Sequence, residues 1–185
     1  MGPTSQTSCS GTLAATGNRP EFNPGPILEA LARHEVDFVL IGGIAAIVRG
    51  SARPSFDVDV TYARDRPNLE RLTAALEELG ARLRGAPANV PFLLDADTLT
   101  RGSHFTFETR FGSLDLLHDP DGAPAYGELV RGSGPTEVVD GNPIRVASID
   151  HLIAMKEASG RAKDTVVATE LRIISDELRA PRDEV

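Results

Sequence analysis

The chain has 185 residues, of which 41% are apolar and 25% are charged, a composition typical of a soluble globular protein. Its formal net charge of −8 argues against a protein that binds nucleic acid indiscriminately through a basic surface, although a local basic patch is compatible with it. No apolar run approaches the roughly 20 residues that span a bilayer, so we expect no membrane partner.

The N-terminal segment predicts a tail without a packed core. Residues 1–20 are rich in Ser, Thr and Gly and contain neither the basic nor the apolar region of a secretory signal. The single cysteine, Cys9, lies here and can form no internal disulfide, which is typical of a reducing cytoplasm. We therefore expect a disordered tail over residues 1–22, one folded domain over residues 23–185, and a cytoplasmic location.

The first half of the folded part alternates between helical and strand patterns. Its apolar residues either recur with helical spacing or form short β-branched runs bounded by turn residues. These patterns predict helices over 26–35, 44–49 and 68–83. They predict strands over 36–41 and 56–62.

The second half predicts shorter strands and then a helical C-terminal part. The expected strands are 89–94, 104–111, 114–118, 136–140 and 143–147, with a short helix over 125–131. Ser148 is a predicted N-cap for a helix over 149–158, and a further amphipathic helix is predicted over 163–179. We therefore expect an α/β (α+β) fold, in which helices flank a mixed twisted sheet and residues 148–180 form a C-terminal helical part.

Asp57 and Asp59 lie two residues apart on a predicted strand, so both side chains point to one face of the sheet. Phe56, Val58 and Val60 are then expected to face the core. Two adjacent carboxylates repel each other, so the arrangement favours a divalent cation between them. The alternative is an ordinary Asp-x-Asp pair on the solvated face of a hairpin edge.

Gly42 and Gly43 follow a predicted buried strand and precede a short helix. Backbone N–H groups at this position are not shielded by side chains, which suits them to phosphate oxygens. A phosphate site beside metal-binding carboxylates is typical of phosphoryl or nucleotidyl transfer. The sequence lacks the P-loop, dinucleotide-binding and hydrolase-elbow motifs, which argues against those three classes.

A third carboxylate is expected from a neighbouring strand. Asp115 is embedded in Leu114, Leu116 and Leu117, where an isolated charge is costly unless it is paired or binds a metal. An edge-strand aspartate facing water is the alternative interpretation. Glu108, on the polar face of the preceding strand, is a weaker candidate for the same pocket.

Basic residues cluster around the break at Gly160. Lys156 ends an apolar helical stripe, and Arg161 and Lys163 follow shortly after it. These cations are placed to meet a triphosphate or the phosphates of an RNA. The alternatives are a snorkelling Lys156 on an ordinary surface helix and a routine surface pair between Lys163 and Asp164. The four histidines lack metal-ligand spacing, which argues against zinc.

These motifs resemble the signature of the DNA polymerase β-type nucleotidyltransferase superfamily. In that signature an apolar residue and a Gly-Gly or Gly-Ser pair precede two acids on one strand and one acid on a later strand. The matching segments are 41–43, 56–60 and 114–116. More narrowly, residues 53–59 and 148–164 resemble the AbiEii/MenT group, the toxins of bacterial toxin–antitoxin pairs.

Two positions depart from the toxin group. Ser55 stands where many relatives have threonine, and Val167 stands where relatives often have another aspartate. Asp164 is then the remaining candidate for the last acidic motif. Ser55 lies on the strand face of Asp57, where its hydroxyl would hold that carboxylate. Modification of the hydroxyl by an antitoxin is the alternative.

The resemblance implies an enzyme that transfers nucleotides from an NTP to RNA, in particular to the 3′ acceptor end of tRNA, and so blocks translation. It implies that Asp57, Asp59 and Asp115 bind two Mg²⁺ ions, or Mn²⁺ in their place, and act with Lys156 in catalysis. The nucleotide-binding residues that it implies are Gly42, Gly43, Arg53, Ser55, Lys156, Arg161, Lys163 and Asp164. The implied partners are an RNA and a cognate antitoxin protein, with no DNA.

Two other functions fit the same residues. The chemistry fits an acceptor such as an aminoglycoside or a protein hydroxyl group. A non-catalytic binding partner also fits the fold, although the intact glycine pair and the three aspartates argue against it.

Overall fold

The computed structural model describes residues 21–86 and 92–180 of the chain. The helices in these ranges are α1 (Pro24–Arg33), α2 (Gly42–Val48), α3 (Arg66–Glu78), α4 (Ala96–Arg101), α5 (Tyr126–Gly132), α6 (Ile149–Ala158) and α7 (Ala162–Arg179). The strands are β1 (Phe38–Ile41), β2 (Asp57–Tyr62), β3 (Arg82–Leu83), β4 (His104–Thr109), β5 (Gly112–Leu117), β6 (Glu137–Val139) and β7 (Asn142–Ile144). The tail predicted over 1–22 lies outside the described residues, except for its last two positions.

Five strands form a mixed sheet in the order β1-β2-β5-β4-β3. β2 and β5 run parallel, whereas the other neighbours in this sheet run antiparallel. β6 and β7 form a separate antiparallel pair. The predicted α/β (α+β) fold is confirmed, with helices beside a mixed sheet and a helical C-terminal part. The domain boundary at residue 23 stays a prediction.

One face of the five-stranded sheet supplies much of the core. Val58 and Val60 of β2, Leu114 and Leu116 of β5, and Phe107 of β4 are all fully buried. Burial of each such side chain stabilises the fold by about 1.5–3 kcal/mol. Because side chains alternate along a strand, the polar residues between these positions point to the opposite face. That opposite face carries the acids of the candidate site.

α6 and α7 pack against each other, and α6 also contacts α2. Ser148 begins α6 as predicted, because its Oγ accepts the His151 N–H at 3.2 Å. Within the described ranges, no helix combines the length and apolarity that crossing a bilayer requires. α6 therefore lies beside α2, and Gly42 at the start of α2 lines a cavity together with Met155 and Lys156 of α6.

Several predicted element bounds are wrong. The helix predicted over 68–83 ends at Glu78, because Gly80 adopts a φ of +65° and turns the chain towards β3. The strand predicted over 104–111 ends at Thr109. In the predicted strand 89–94, residues 92–94 form no strand, and residues 89–91 lie outside the described part. α4 was not predicted, since its six residues are too few to show a helical period.

Phe56 is 72% exposed, so the expectation that it faces the core is wrong. β2 starts only at Asp57, and β1 reaches no further than the pair between Ile41 and Asp59. Phe56 therefore lies beyond the end of β1, on the loop that leads into the sheet.

Candidate active site

The parallel register of β2 and β5 brings three carboxylates together. Asp59 pairs with Asp115 across the two strands, and Asp57 lies two residues away on the same face. One oxygen of each carboxylate lies within 4.8 Å of the others. Across residues 21–86 and 92–180, no other set of three acidic, histidine or cysteine side chains meets this spacing.

The cluster is electrostatically costly, and Asp59 carries most of that cost. Burial, followed by repulsion from Asp57 and Asp115, raises the pKa of the Asp59 carboxyl from its ordinary 3.8 to about 7, with Lys156 opposing. Burial also raises the pKa of Asp115, with Arg84 as the main opposing group. A divalent cation would relieve the repulsion, and carboxylate oxygens are the ligands that Mg²⁺ and Mn²⁺ prefer. The three residues therefore fit the predicted metal site.

Gly42 and Gly43 let the first turn of α2 approach the acids. Gly42 has a φ of +68°, and a Cβ on it would lie 1.9 Å from Asp59 Oδ2. A Cβ on Gly43 would lie 2.2 Å from Ser55 Oγ. The Gly43 N–H also donates to the Asp59 carboxylate. The glycine pair therefore lets α2 lie against Asp59 and Ser55, whereas its role as a phosphate cradle stays a prediction.

Ser55 holds the first aspartate of the pair. Its Oγ donates to Asp57 Oδ1 at 2.9 Å, which is the contact expected of a positioning hydroxyl. Modification of this hydroxyl would break the contact and place new charge beside a candidate metal ligand.

Asp164 joins α6 to α7 in a buried ionic cluster, where it is 2% exposed. Lys156 Nζ donates to its Oδ1 at 2.9 Å, Ser159 Oγ donates to its Oδ2 at 2.8 Å, and Arg161 pairs with the same carboxylate. Burial opposes ionisation, but these donors hold the pKa of Asp164 at about 2. Asp164 thus pairs with Lys156 and Arg161 rather than with its sequence neighbour Lys163.

These residues line a cavity of about 360 Å³ next to α2, β2 and the C-terminal helices. The predicted site residues that line it are Gly43, Arg53, Ser55, Asp57, Asp59, Asp115, Lys156, Arg161, Lys163 and Asp164. Gly42 lines an adjoining cavity of about 370 Å³, which shares Asp59, Lys156 and Arg161 with the first. The structure therefore places all the predicted site residues around two adjoining cavities.

Two charged residues outside the sequence motifs contact the site. Arg84, just after β3, pairs with Asp115, and its Nε lies 3.4 Å from Glu108 Oε1. Glu170 of α7 lies 3.3 Å from Arg53 Nε and so ties the loop before β2 to that helix. Glu108, the weaker candidate for the third acid, lies outside the three-carboxylate cluster.

Solved structures with the same fold include proteins that act on antibiotics. The lincosamide antibiotic adenylyltransferase LnuA is 16% identical, with 83% of this chain and 99% of LnuA covered and a TM-score of 0.56. TM1012 from Thermotoga maritima, a candidate nucleotidyltransferase, is 14% identical, with 87% and 99% covered and a TM-score of 0.51. The antibiotic-resistance factor ANT(2'')-Ia is 21% identical, with 83% and 88% covered and a TM-score of 0.50.

No protein-family model matches the chain, and no curated protein matches its sequence. The chain therefore has the nucleotidyltransferase fold by structural likeness, at identities that establish the fold alone. Activity has to be argued from the site itself.

Proposed function

We propose that the protein is a metal-dependent nucleotidyltransferase, which moves a nucleotide from an NTP to a hydroxyl group and releases pyrophosphate. The observation that carries this proposal is the convergence of Asp57, Asp59 and Asp115 beside the first turn of α2, in a cavity lined by Lys156. The nucleotidyltransferase fold supports the same activity.

In this proposal Asp57 and Asp59 hold Mg²⁺ or Mn²⁺, and Asp115 completes the site on the side of the acceptor. When bound, the ions neutralise charge on the leaving pyrophosphate and lower the pKa of the attacking hydroxyl. Asp115 orients that hydroxyl by accepting its hydrogen bond. Ser55 keeps the Asp57 carboxylate in place through the 2.9 Å contact to its Oδ1.

The nucleotide is proposed to lie between α2 and the C-terminal helices. The backbone at Gly42 and Gly43 and the ammonium group of Lys156 face this space and would meet the β and γ phosphates. Arg161, whose side chain is 61% exposed, and Lys163 add positive charge at the same cavity. Asp164 supports the site indirectly, because it fixes Lys156 and Arg161.

We further propose that the acceptor is RNA, in particular the 3′ end of tRNA. The proposal is supported by the resemblance of residues 53–59 and 148–164 to the AbiEii/MenT toxins. It is also supported by the exposed cations Arg53, Arg161 and Lys163 at the cavity, which suit a strand of phosphates. Nucleotides added to tRNA ends would block aminoacylation. The protein would then act in the cytoplasm as a toxin neutralised by a cognate antitoxin.

A small-molecule acceptor is the second candidate. It is favoured by two fold neighbours, the lincosamide antibiotic adenylyltransferase LnuA and ANT(2'')-Ia, which is known in complex with adenylyl-2''-tobramycin. In the present chain Asp121 lines the adjoining cavity, and its carboxylate would suit an amine of an aminoglycoside.

Label transfer from each of the four α-labelled NTPs tests these proposals. The purified protein is incubated with Mg²⁺ or Mn²⁺ and with deacylated tRNA, total RNA, aminoglycosides or lincosamides. We expect label in tRNA with the wild type and none with Asp57→Asn, which keeps the shape of the side chain but not its charge. Label in an antibiotic and not in RNA would select the second candidate. No transfer to any acceptor would refute the enzymatic proposal and favour a binding partner.

A further inference from the structure

We propose that Arg84 is a positioning residue for Asp115, which it holds in the orientation that the reaction needs. This inference rests on the proposed function, in which Asp115 faces the attacking hydroxyl. It concerns a residue that the family motifs described above do not include.

A row of paired residues places Arg84 on the face of the acids. The Arg84 N–H donates to the Thr106 carbonyl at 2.8 Å, Thr106 pairs with Asp115, and Asp115 pairs with Asp59. Residues that pair directly across neighbouring strands point to the same face of a sheet. The guanidinium of Arg84 therefore reaches Asp115 across β4, on the face where the three carboxylates meet.

The contact with Arg84 fixes Oδ1 of Asp115 and leaves Oδ2 able to bind another group. Arg84 Nη2 pairs with Asp115 Oδ1, and Arg84 Nε lies 3.4 Å from Oε1 of Glu108. The side chains of Arg84 and Asp115 are only 30% and 16% exposed, so solvent screens their attraction incompletely. A carboxylate held by Oδ1 has one preferred orientation, and its Oδ2 can serve a metal ion or the acceptor hydroxyl.

Arg84 helps to orient Asp115, but its positive charge lowers the affinity of the three carboxylates for metal. A positive charge beside three carboxylates offsets part of the negative charge that attracts a divalent cation. Arg84 should therefore weaken metal binding to the nucleotide-free protein while it fixes the geometry of the loaded site. A residue that serves only folding would not separate these two effects.

The variant Arg84→Met keeps an unbranched apolar stem like the inner part of the arginine side chain and removes the charge and the fork. We expect kcat at saturating NTP and Mg²⁺ to fall about 30-fold, because a misplaced reacting group costs up to about 100-fold in rate. The KM for the NTP should stay within about threefold of wild type, since the groups proposed to bind the phosphates are untouched. Mn²⁺ binding to the nucleotide-free protein, measured by electron paramagnetic resonance, should tighten about tenfold.

A second variant of Arg84 separates charge from geometry, and a variant of Arg82 serves as the control. Arg84→Lys keeps the charge but not the planar fork, so we expect Mn²⁺ affinity near that of wild type with only partial recovery of kcat. Arg82→Met is the matched control, because Arg82 lies two residues before Arg84, on β3, and pairs with Glu108 of β4, whereas Arg84 contacts Asp115. Neither kcat nor Mn²⁺ affinity should change in this control.

A kcat for Arg84→Met within about threefold of wild type would overturn the proposal, because the expected loss is about 30-fold. Unchanged Mn²⁺ affinity in this variant would overturn it as well. A joint loss of kcat, Mn²⁺ affinity and thermal stability would make Arg84 a structural residue instead. If the wild type transfers no nucleotide, the proposed function fails, but the Mn²⁺ measurements still decide whether Arg84 acts on the site of Asp115.

Discussion

We expect the Asp59→Asn variant of the metal-free protein to gain stability relative to the wild type as the pH rises. Burial, and then repulsion from Asp57 and Asp115, places the pKa of the Asp59 carboxyl at about 7, against an ordinary 3.8. The folded state thus binds this proton more tightly than the unfolded state does. The contribution of Asp59 to the free energy of unfolding is therefore fully present below pH 3.8, and it is lost as the pH rises through about 7. Asparagine carries no charge, so the variant should escape this loss.

The size of the effect follows from the same values. The difference in pKa corresponds to about 4 kcal/mol, of which about 3 kcal/mol is lost between about pH 5 and about pH 8. Partial exposure of the side chain and relaxation of the cluster reduce the measurable change to about 2 kcal/mol. The variant also weakens the hydrogen bond from Gly43, at a cost of about 1 kcal/mol that does not depend on pH. The pH dependence is therefore the quantity to measure.

Urea unfolding in the presence of a chelator, at about pH 5 and about pH 8, gives the free energies needed to test the linkage. Asp176→Asn, at an exposed position of α7, is the matched control for loss of one charge. Excess Mg²⁺ should raise the midpoint of the wild type and not that of Asp59→Asn. A stability difference between variant and wild type that is equal at both pH values would refute the repelling cluster.

The other predictions concern activity and the C-terminal helices. Asp57→Ala should abolish label transfer and relieve any growth arrest without unfolding the protein, and activity within a few-fold of wild type would exclude the metal assignment. Asp115→Asn should keep NTP binding, measured by calorimetry, but lose turnover, because the amide keeps the shape without the charge; undiminished turnover would make Asp115 structural. Ser55→Glu should be inactive in steady-state assays, because its charge repels the triphosphate, whereas Ser55→Ala should keep most activity. Equal activity of Ser55→Glu and wild type would exclude a phosphorylation switch. Asp164→Asn should lower the free energy of unfolding by about 3 kcal/mol, since it leaves the half-buried Lys156 without its ion pair; an unchanged urea midpoint would contradict this.

Much of the site could be predicted because its residues are close in sequence and follow simple periods. The two-residue spacing of Asp57 and Asp59 fixes their common face wherever the strand lies. Position 42 has a positive φ and lies against Asp59. Because both features require glycine, the sequence itself marks this position. Asp115 was harder, because its place beside Asp59 depends on a parallel pairing between strands that are distant in sequence.

Arg84 could not be predicted from the periodicity. Leu69, Leu72, Leu76 and Leu79 continue a helical stripe, and nothing in that stripe shows that it stops before Gly80. The following strand has only two residues, too few for alternation to be recognised. Its position at the edge of the sheet is decided by pairing with β4, which is a tertiary contact. Arg84, which pairs with the third acid, follows directly after the segment 68–83 that was predicted as one helix, so nothing in the sequence placed it beside the sheet.

Two aspartates at the same cavity have pKa values that are shifted in opposite directions. Asp164 is surrounded by donors, so its pKa of about 2 keeps it charged, and the stability it contributes is lost only as the pH falls from 3.8 towards 2. Asp59 receives the Gly43 N–H but faces two other carboxylates, and its pKa moves the opposite way. Lys156 acts on both, yet its ammonium group already pairs with Asp164 at 2.9 Å. Because Asp164 neutralises part of the positive charge of Lys156, this lysine offsets only part of the repulsion at Asp59, and a divalent cation would relieve the rest.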